Sequence, residues 1–191
     1  LTRGKVMSRI VYISGGARSG KSNFAEKKAS VFHPHVAYIA TAKPIDDEMV
    51  DRIKKHKLKR PEQWQTLEGY KDMDKLVSKI ESDKKVVILD CITIMVTNLM
   101  LEYNTDWDNI KPAEIECIES KIIDEINKLI KSIRERDLCL FVVSNELGMG
   151  LVPTYKMGRI FRDIAGRVNQ LLAKEADEVY FMISGIPLKL K

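Results

Sequence analysis

An α/β fold, with a mostly parallel sheet covered by helices on both faces, is what this sequence predicts, and two observations carry the prediction. Apolar runs rich in β-branched residues recur along the chain, and segments with helical periodicity separate them. The runs at Arg9 to Ser14, Val36 to Thr41, Val86 to Asp90, Leu138 to Ser144 and Glu178 to Ser184 are too continuous for strands with one wet face, so they read as buried parallel strands. Helical patterns occupy Lys21 to Ser30, Asp46 to Lys57, Met73 to Glu81, Ile92 to Tyr103, Pro112 to Arg136 and Tyr155 to Lys174. Such alternation implies crossover helices on both sides of one sheet.

Each element has a local reason. The helix from Pro112 repeats Ile115, Ile118, Ile122, Ile126, Leu129 and Ile133 at three-to-four-residue spacing, a single apolar stripe that must be buried. The helix from Asp46 carries Asp46, Asp47 and Glu48 in its first turn and bases toward its end, matching the helix dipole, and Arg60-Pro61 stops it. Arg159, Arg162, Asp163, Arg167, Asn169 and Gln170 read by periodicity as the solvated face of the last long helix, with a charge-paired subunit contact as the sharper alternative.

A length of 191 residues, 45% hydrophobic and 31% charged, suits one globular domain. That domain is expected over residues 7–191. Residues 1–6 lack a signal peptide's apolar region and precede Met7, so they are set aside as a cloning-derived leader. The apolar stretch Val86 to Leu101 contains Asp90 and Asn98 and is too short for a membrane span. Three cysteines, Cys91, Cys117 and Cys139, are odd in number and widely spaced, which argues against a disulfide framework or a zinc site and fits the cytoplasm. The net charge of +5 concentrates at Arg52 to Arg60 without interleaved aromatics, which favours a compact phosphate-bearing anion over nucleic acid.

The chemistry starts at Gly15-Gly16-Ala17-Arg18-Ser19-Gly20-Lys21-Ser22, a Gly-x-x-x-x-Gly-Lys-Ser sequence between a predicted strand and a predicted helix. The glycines let the backbone curl so that NH groups and a helix N-terminus meet phosphate oxygens. Lys21 is expected to reach the β and γ phosphates of ATP or GTP, and Ser22 to bind Mg²⁺. The fold is therefore expected to be of the P-loop NTPase type, RecA-like. Asp90, ending its strand, is the candidate second Mg²⁺ ligand, against the alternative that it caps the helix starting at Ile92.

Of the histidines, His33 and His35 flank Pro34 and read as loop residues. His56 lies among Arg52, Lys54, Lys55, Lys57, Lys59 and Arg60, cations that lower a histidine's pKa and favour a neutral, nucleophilic imidazole. Two readings stand for it from these residues alone, a nucleophile and a surface histidine. Asn145 to Pro153 follows a core strand at the ligand-binding end of an open sheet and is a candidate substrate loop.

Taken in order, the P-loop, Tyr38-Ile39-Ala40-Thr41-Ala42, Asp47-Glu48-Met49, Arg52-Ile53 with His56, Arg60-Pro61, Trp64, Asp90-Cys91-Ile92-Thr93, Asn98-Leu99, Asn145 to Gly150 and Phe161 to Gln170 resemble one family. It is the bifunctional adenosylcobinamide kinase and adenosylcobinamide-phosphate guanylyltransferase of cobalamin biosynthesis. The resemblance implies phosphorylation of the aminopropanol hydroxyl of adenosylcobinamide by an NTP, then transfer of GMP from GTP through a guanylyl-histidine, matched here by His56. It also implies that Ala40, Thr41, Ala42, Lys57, Leu58, Lys59, Arg60, Glu68 and Asp90 join the P-loop in holding nucleotide, and that the chain forms a homotrimer. Thr154-Tyr155-Lys156 departs from the family pattern, so corrinoid contacts are expected to differ there. Two rivals to the family reading are a P-loop small-molecule kinase without guanylyl transfer and a RecA-like ATPase or GTP-binding regulatory module.

Overall fold

The computed structural model describes residues 8–44 and 47–191, together with the side chains there except those of Glu48, Arg52, His56 and Lys59. The expected leader and the predicted helix start at Asp46 lie outside the described residues. Seven strands form one sheet in the order β3-β2-β4-β5-β1-β6-β7. They are β1 (Arg9–Gly15), β2 (Val36–Ala40), β3 (Gln65–Glu68), β4 (Val86–Asp90), β5 (Cys139–Val143), β6 (Glu178–Ile183) and β7 (Ile186–Lys189). All neighbours pair in parallel except β6 with β7, which are antiparallel.

Two of these strands are corrections to the reading of the sequence. Edge strand β3 is four residues long with alternating half-buried and exposed positions, too short and polar to register as an apolar run. Edge strand β7 is exposed throughout and contains Pro187, tolerated because an edge strand leaves some of its NH groups without a ladder partner. The two-residue turn Ser184–Gly185, both residues at positive φ, folds β7 back on β6. That is the backbone twist a tight hairpin needs.

Among the described residues, six α-helices connect the strands: α1 (Lys21–Ala29), α2 (Asp47–Lys59), α3 (Met73–Ser78), α4 (Ile92–Leu101), α5 (Pro112–Glu135) and α6 (Lys156–Glu175). Helices α3 and α4 stop earlier than the predicted Glu81 and Tyr103. On one face of the sheet, Ile10, Tyr12, Leu89 and Leu140 pack with α3, α4, α5 and α6. On the other, Ile13, Tyr38, Ile88 and Val143 pack with Ala25 and Ala29 of α1 and with Trp64. The predicted stripe of α5 is buried from Ile118 through Ile133, with Ile115 at its partly covered end. Helix α2 supplies no described residue to either core, and Val50 and Leu58 on it are exposed.

The polar residues of α6 also separate. Arg167 pairs with Glu119 of α5 inside the chain, with Nη2 2.8 Å from Oε2. Asn169 is buried and bonded to Ser144 rather than solvated. Because Ile126 is wholly enclosed between α5 and the sheet, Ile126→Ala should cost about 2–5 kcal/mol through lost transfer and a residual cavity. A lower urea midpoint with unchanged slope would register that loss; an unmoved midpoint would count against this account of the core.

Candidate active site

Parallel pairing sets the carboxyl ends of the strands side by side. Glu68, Ala40 and Asp90 are direct partners across β3, β2 and β4, and the row continues through Val143 and Ile13. Strands are about 4.8 Å apart, so neighbours in such a row present side chains to one face within short reach. Ile13 and Val143 fall in the core cluster on the α1 face. The row therefore ends on the side where α1 begins.

The P-loop leaves β1 at Gly15, whose φ of +146° and crowded surroundings exclude a side chain. A Cβ there would lie 2.6 Å from the carbonyl oxygen of Met182. Gly20, at φ +93°, precedes the first turn of α1, and Phe24 NH donates to its carbonyl at 2.9 Å. Between them Arg18 adopts a left-handed conformation, and Ser19 accepts from Gly185 NH at 3.0 Å. The turn of the β6–β7 hairpin thus supports the loop from beside the sheet. Lys21 is only 6% exposed, and its ammonium donates to Gly16 O at 2.5 Å and lies 3.3 Å from Ser19 Oγ. Gly16 and Ala17 are exposed on the loop.

A cavity of about 390 Å³ opens beside Ser22, within the size range of small-molecule sites. Ser22, Asp90 and Cys91 line one side, and Ala40, Ala42, Arg60 and Glu68 another. Met49, Ile53, Lys54 and Lys57 of α2 form its outer wall. The cavity brings together Ser22 and Asp90 with Ala40, Ala42, Lys57, Arg60 and Glu68, whereas the rest of the P-loop, Gly15 to Lys21, does not line it. Thr41 and Leu58 do not line it: Thr41 is buried, and Leu58 is exposed on α2. His56 and Lys59 belong to α2, but their side chains lie outside the described residues.

Asp90 is not the cap of α4. That position belongs to Cys91, and Asp90 Oδ2 instead accepts from Tyr38 OH at 2.8 Å. Burial, reinforced by the Asp90 charge, pushes the Tyr38 phenol far above its ordinary pKa, so it stays a donor. The guanidinium of Arg60 stacks 3.6 Å from the centroid of the Tyr38 ring, a cation–π contact. Arg60 Nε and Nη1 are buried without hydrogen-bond partners among the described residues. Lys57 Nζ and Glu68 Oε1 lie 2.5 Å apart across the mouth.

Thr41 has a different task. Its hydroxyl accepts from Cys91 NH at 2.9 Å and donates to Cys91 O at 2.8 Å, while Asn98 holds Thr41 O at 2.7 Å. These bonds fasten the backbone at which Asp90 is presented. Burial raises the Cys91 and Cys139 thiols to about 11, which keeps them protonated and poor nucleophiles. The histidines His33 and His35 sit in the turns before β2, as expected, with His35 Nδ1 3.5 Å from Asp83. No cluster of three or more His, Cys, Asp or Glu side chains suited to a metal occurs among the described residues. None of the described helices is long and apolar enough to cross a membrane.

Residues 11–190 match the family model described as cobinamide kinase / cobinamide phosphate guanyltransferase. The chain belongs to this family. It is 44% identical over 184 residues to the bifunctional adenosylcobalamin biosynthesis protein CobU of Escherichia coli (strain K12), covering 95% of this chain and 99% of that protein. It is 43% identical over 182 residues to CobU of Salmonella typhimurium, covering 95% and 99%. The bifunctional adenosylcobalamin biosynthesis protein CobP of Pseudomonas aeruginosa is 34% identical over 180 residues, covering 94% and 95%. Family membership and the P-loop on a seven-stranded α/β sheet agree with the fold class read from the sequence.

Sequence reasoning missed Tyr38 as a partner of Asp90 and the Ser184–Gly185 turn as a support of the P-loop. A Ser-Gly pair between two apolar runs was the available signal for the turn. Gly15→Ala should lower the thermal midpoint, because both φ and the Met182 carbonyl oppose a Cβ and such strain is worth about 1–3 kcal/mol. Gly16→Ala, whose Cβ would meet nothing within 4 Å, should leave the midpoint in place. Equal midpoints for the two variants would contradict the described loop geometry.

Proposed function

We propose that this family member phosphorylates the aminopropanol hydroxyl of adenosylcobinamide with ATP or GTP and then transfers GMP from GTP to the product. The observation that carries the reading is one cavity shared by Ser22 and Asp90 with Ala40, Ala42, Lys57, Arg60 and Glu68. One nucleotide can lie there with its phosphates toward the P-loop and its remaining parts toward α2. Glu68 offers a carboxylate that can accept from the N1–H and amino group of guanine.

In the first reaction the loop NH groups and Lys21 cradle the β and γ phosphates and offset charge as the γ-phosphoryl group departs. Ser22 and Asp90 fit Mg²⁺, since a hydroxyl and a carboxylate are hard oxygen donors and Tyr38 already orients one Asp90 oxygen. When bound, the ion would offset charge on the phosphate oxygens. In the second reaction a neutral His56 nitrogen attacks the α-phosphorus of GTP, and the bond from that phosphorus to the bridging oxygen breaks, releasing pyrophosphate. Arg60, two of whose nitrogens lack a partner among the described residues, and Lys57 can offset charge on the polyphosphate. An oxygen of adenosylcobinamide phosphate then displaces His56 from phosphorus, giving adenosylcobinamide-GDP and the free imidazole.

His56 supports this role by its place in the chain, three residues after cavity-lining Ile53 and one before cavity-lining Lys57. Family resemblance further supports a homotrimer working in the cytoplasm.

Lys21→Ala should lower phosphorylation of adenosylcobinamide by roughly 100-fold or more, the scale of losing one preorganised charge at a transferring group. Near-normal turnover by that variant would remove the P-loop from the kinase step. Incubation with GTP labelled at the α-phosphate should leave acid-labile, base-stable label on His56. His56→Ala should lose both the label and guanylyl transfer while phosphorylating adenosylcobinamide normally. Label mapping to His33 or His35 would move the nucleophile, and no label at all would favour a kinase without guanylyl transfer.

A further inference from the structure

Strand β5 lies between β4, which ends in Asp90, and β1, which ends in the P-loop. The residues that follow β5 therefore start in the gap between the candidate metal carboxylate and the phosphate loop. Those residues are Ser144, Asn145 and Glu146, and the chain is clamped there. Ser144 NH donates to Ile13 O at 3.0 Å and Ser144 Oγ to Asn169 Oδ1 at 2.7 Å. Asn145 NH donates to Thr93 Oγ1 at 2.7 Å, and Asn169 Nδ2 to Asn145 O at 3.1 Å. Ser144, Thr93 and Asn169 are buried, and a buried polar network with its members partnered is rigid. Glu146 NH then donates to Gly15 O at 3.0 Å, tying this acid to the first residue of the P-loop.

Glu146 Oε1 accepts from Gly148 NH at 2.6 Å, and Oε2 has no hydrogen-bond partner among the described residues. The carboxylate also acts on the sheet below it: Tyr12 is pushed up to about 12, mainly by burial, with the charge of Glu146 contributing. The acids that line the cavity are engaged, Asp90 with Tyr38 and Glu68 with Lys57, while Glu146 approaches from the P-loop side. Past Gly148 the loop turns apolar, with Met149 81% and Leu151 97% exposed. A carboxylate beside the P-loop at the foot of an apolar loop suits an acceptor whose hydroxyl sits on an arm of a large, weakly polar body.

We propose that Glu146 is the general base of the kinase step. The assignment rests on the P-loop reading above. As the acceptor O–H bond breaks, its proton passes to Glu146 Oε2 and its oxygen bonds to the γ-phosphorus. The bond from that phosphorus to the β–γ bridging oxygen breaks, and its electron pair leaves with the nucleoside diphosphate. The carboxylic acid afterwards returns the proton to solvent.

Glu146→Gln separates this role from loop closure, because the amide oxygen still accepts from Gly148 NH while the base is gone. In the full-length protein, E146Q should lower kcat for adenosylcobinamide phosphorylation by about 100-fold or more, with the KM for adenosylcobinamide, NTP binding and labelling from α-labelled GTP unchanged. E146A should lose the kinase step equally and recover it at least in part when formate is added. Phosphorylation by E146Q within about threefold of the parent, on a scale where a general base contributes 10²–10⁴, would overturn the assignment. So would parallel loss of NTP binding and labelling, or an E146A variant that binds NTP yet ignores formate, since either would make the role structural. If E146Q is undisturbed while Lys21→Ala loses the kinase step, only the base falls. If Lys21→Ala is itself active, the P-loop reading has failed.

Discussion

Everything at this site depends on the parallel register of the inner strands. Ala40, Glu68 and Asp90 are far apart along the chain, yet direct pairing sets them next to one another. A slip of one residue in β4 would turn Asp90 to the other face of the sheet, since side chains alternate. The register is held by burial on both faces: Ile88 packs on the α1 side while Val87 and Leu89 pack beneath α3, α4 and α5. Apolar packing thus does the positioning, and the polar residues at the strand ends inherit it.

Electrostatics refine what packing places. Tyr38 spans the distance from the core to Asp90 by a single hydrogen bond, and its ring carries the guanidinium of Arg60 in the same cavity. One aromatic side chain therefore relates a carboxylate and a cation without pairing them directly. Among the described residues, Arg60 Nε and Nη1 and the second Asp90 oxygen have no hydrogen-bond partner. An ion pair between the two would instead have spent both on each other.

The sequence made the central elements legible because periodicity and composition agree there. The runs that became β1, β2, β4, β5 and β6, the Ile stripe of α5 and the strand–loop–helix setting of Gly15 to Ser22 each satisfy a local rule that the fold also needs. What stayed hidden is nonlocal or marginal. Gln65–Glu68 and Ile186–Lys189 are edge strands, made by pairing with a partner rather than by their own apolar content. Asn169 falls on a polar stretch of α6, and only Ser144 and Asn145, distant in sequence, reveal it as a buried acceptor and donor. The bond between Tyr38 and Asp90 spans 52 positions, beyond any periodicity argument. His56 was legible as a cationic neighbourhood that left a nucleophile and a surface histidine both open, and the family resemblance favours the first.

The position of β1 in the sheet has a consequence for how the protein is made. Its two neighbours are β5 and β6, which begin at Cys139 and Glu178, and the turn that supports the P-loop follows at Gly185. Strand β1 must therefore wait for β5, far along the sequence, before either of its edges is covered. Pairings of such long sequence separation form late and leave apolar edges open meanwhile. Nucleotide binding thereby depends on synthesis through Gly185, and a nascent chain stalled before β5 would present its phosphate loop on a strand with neither edge paired.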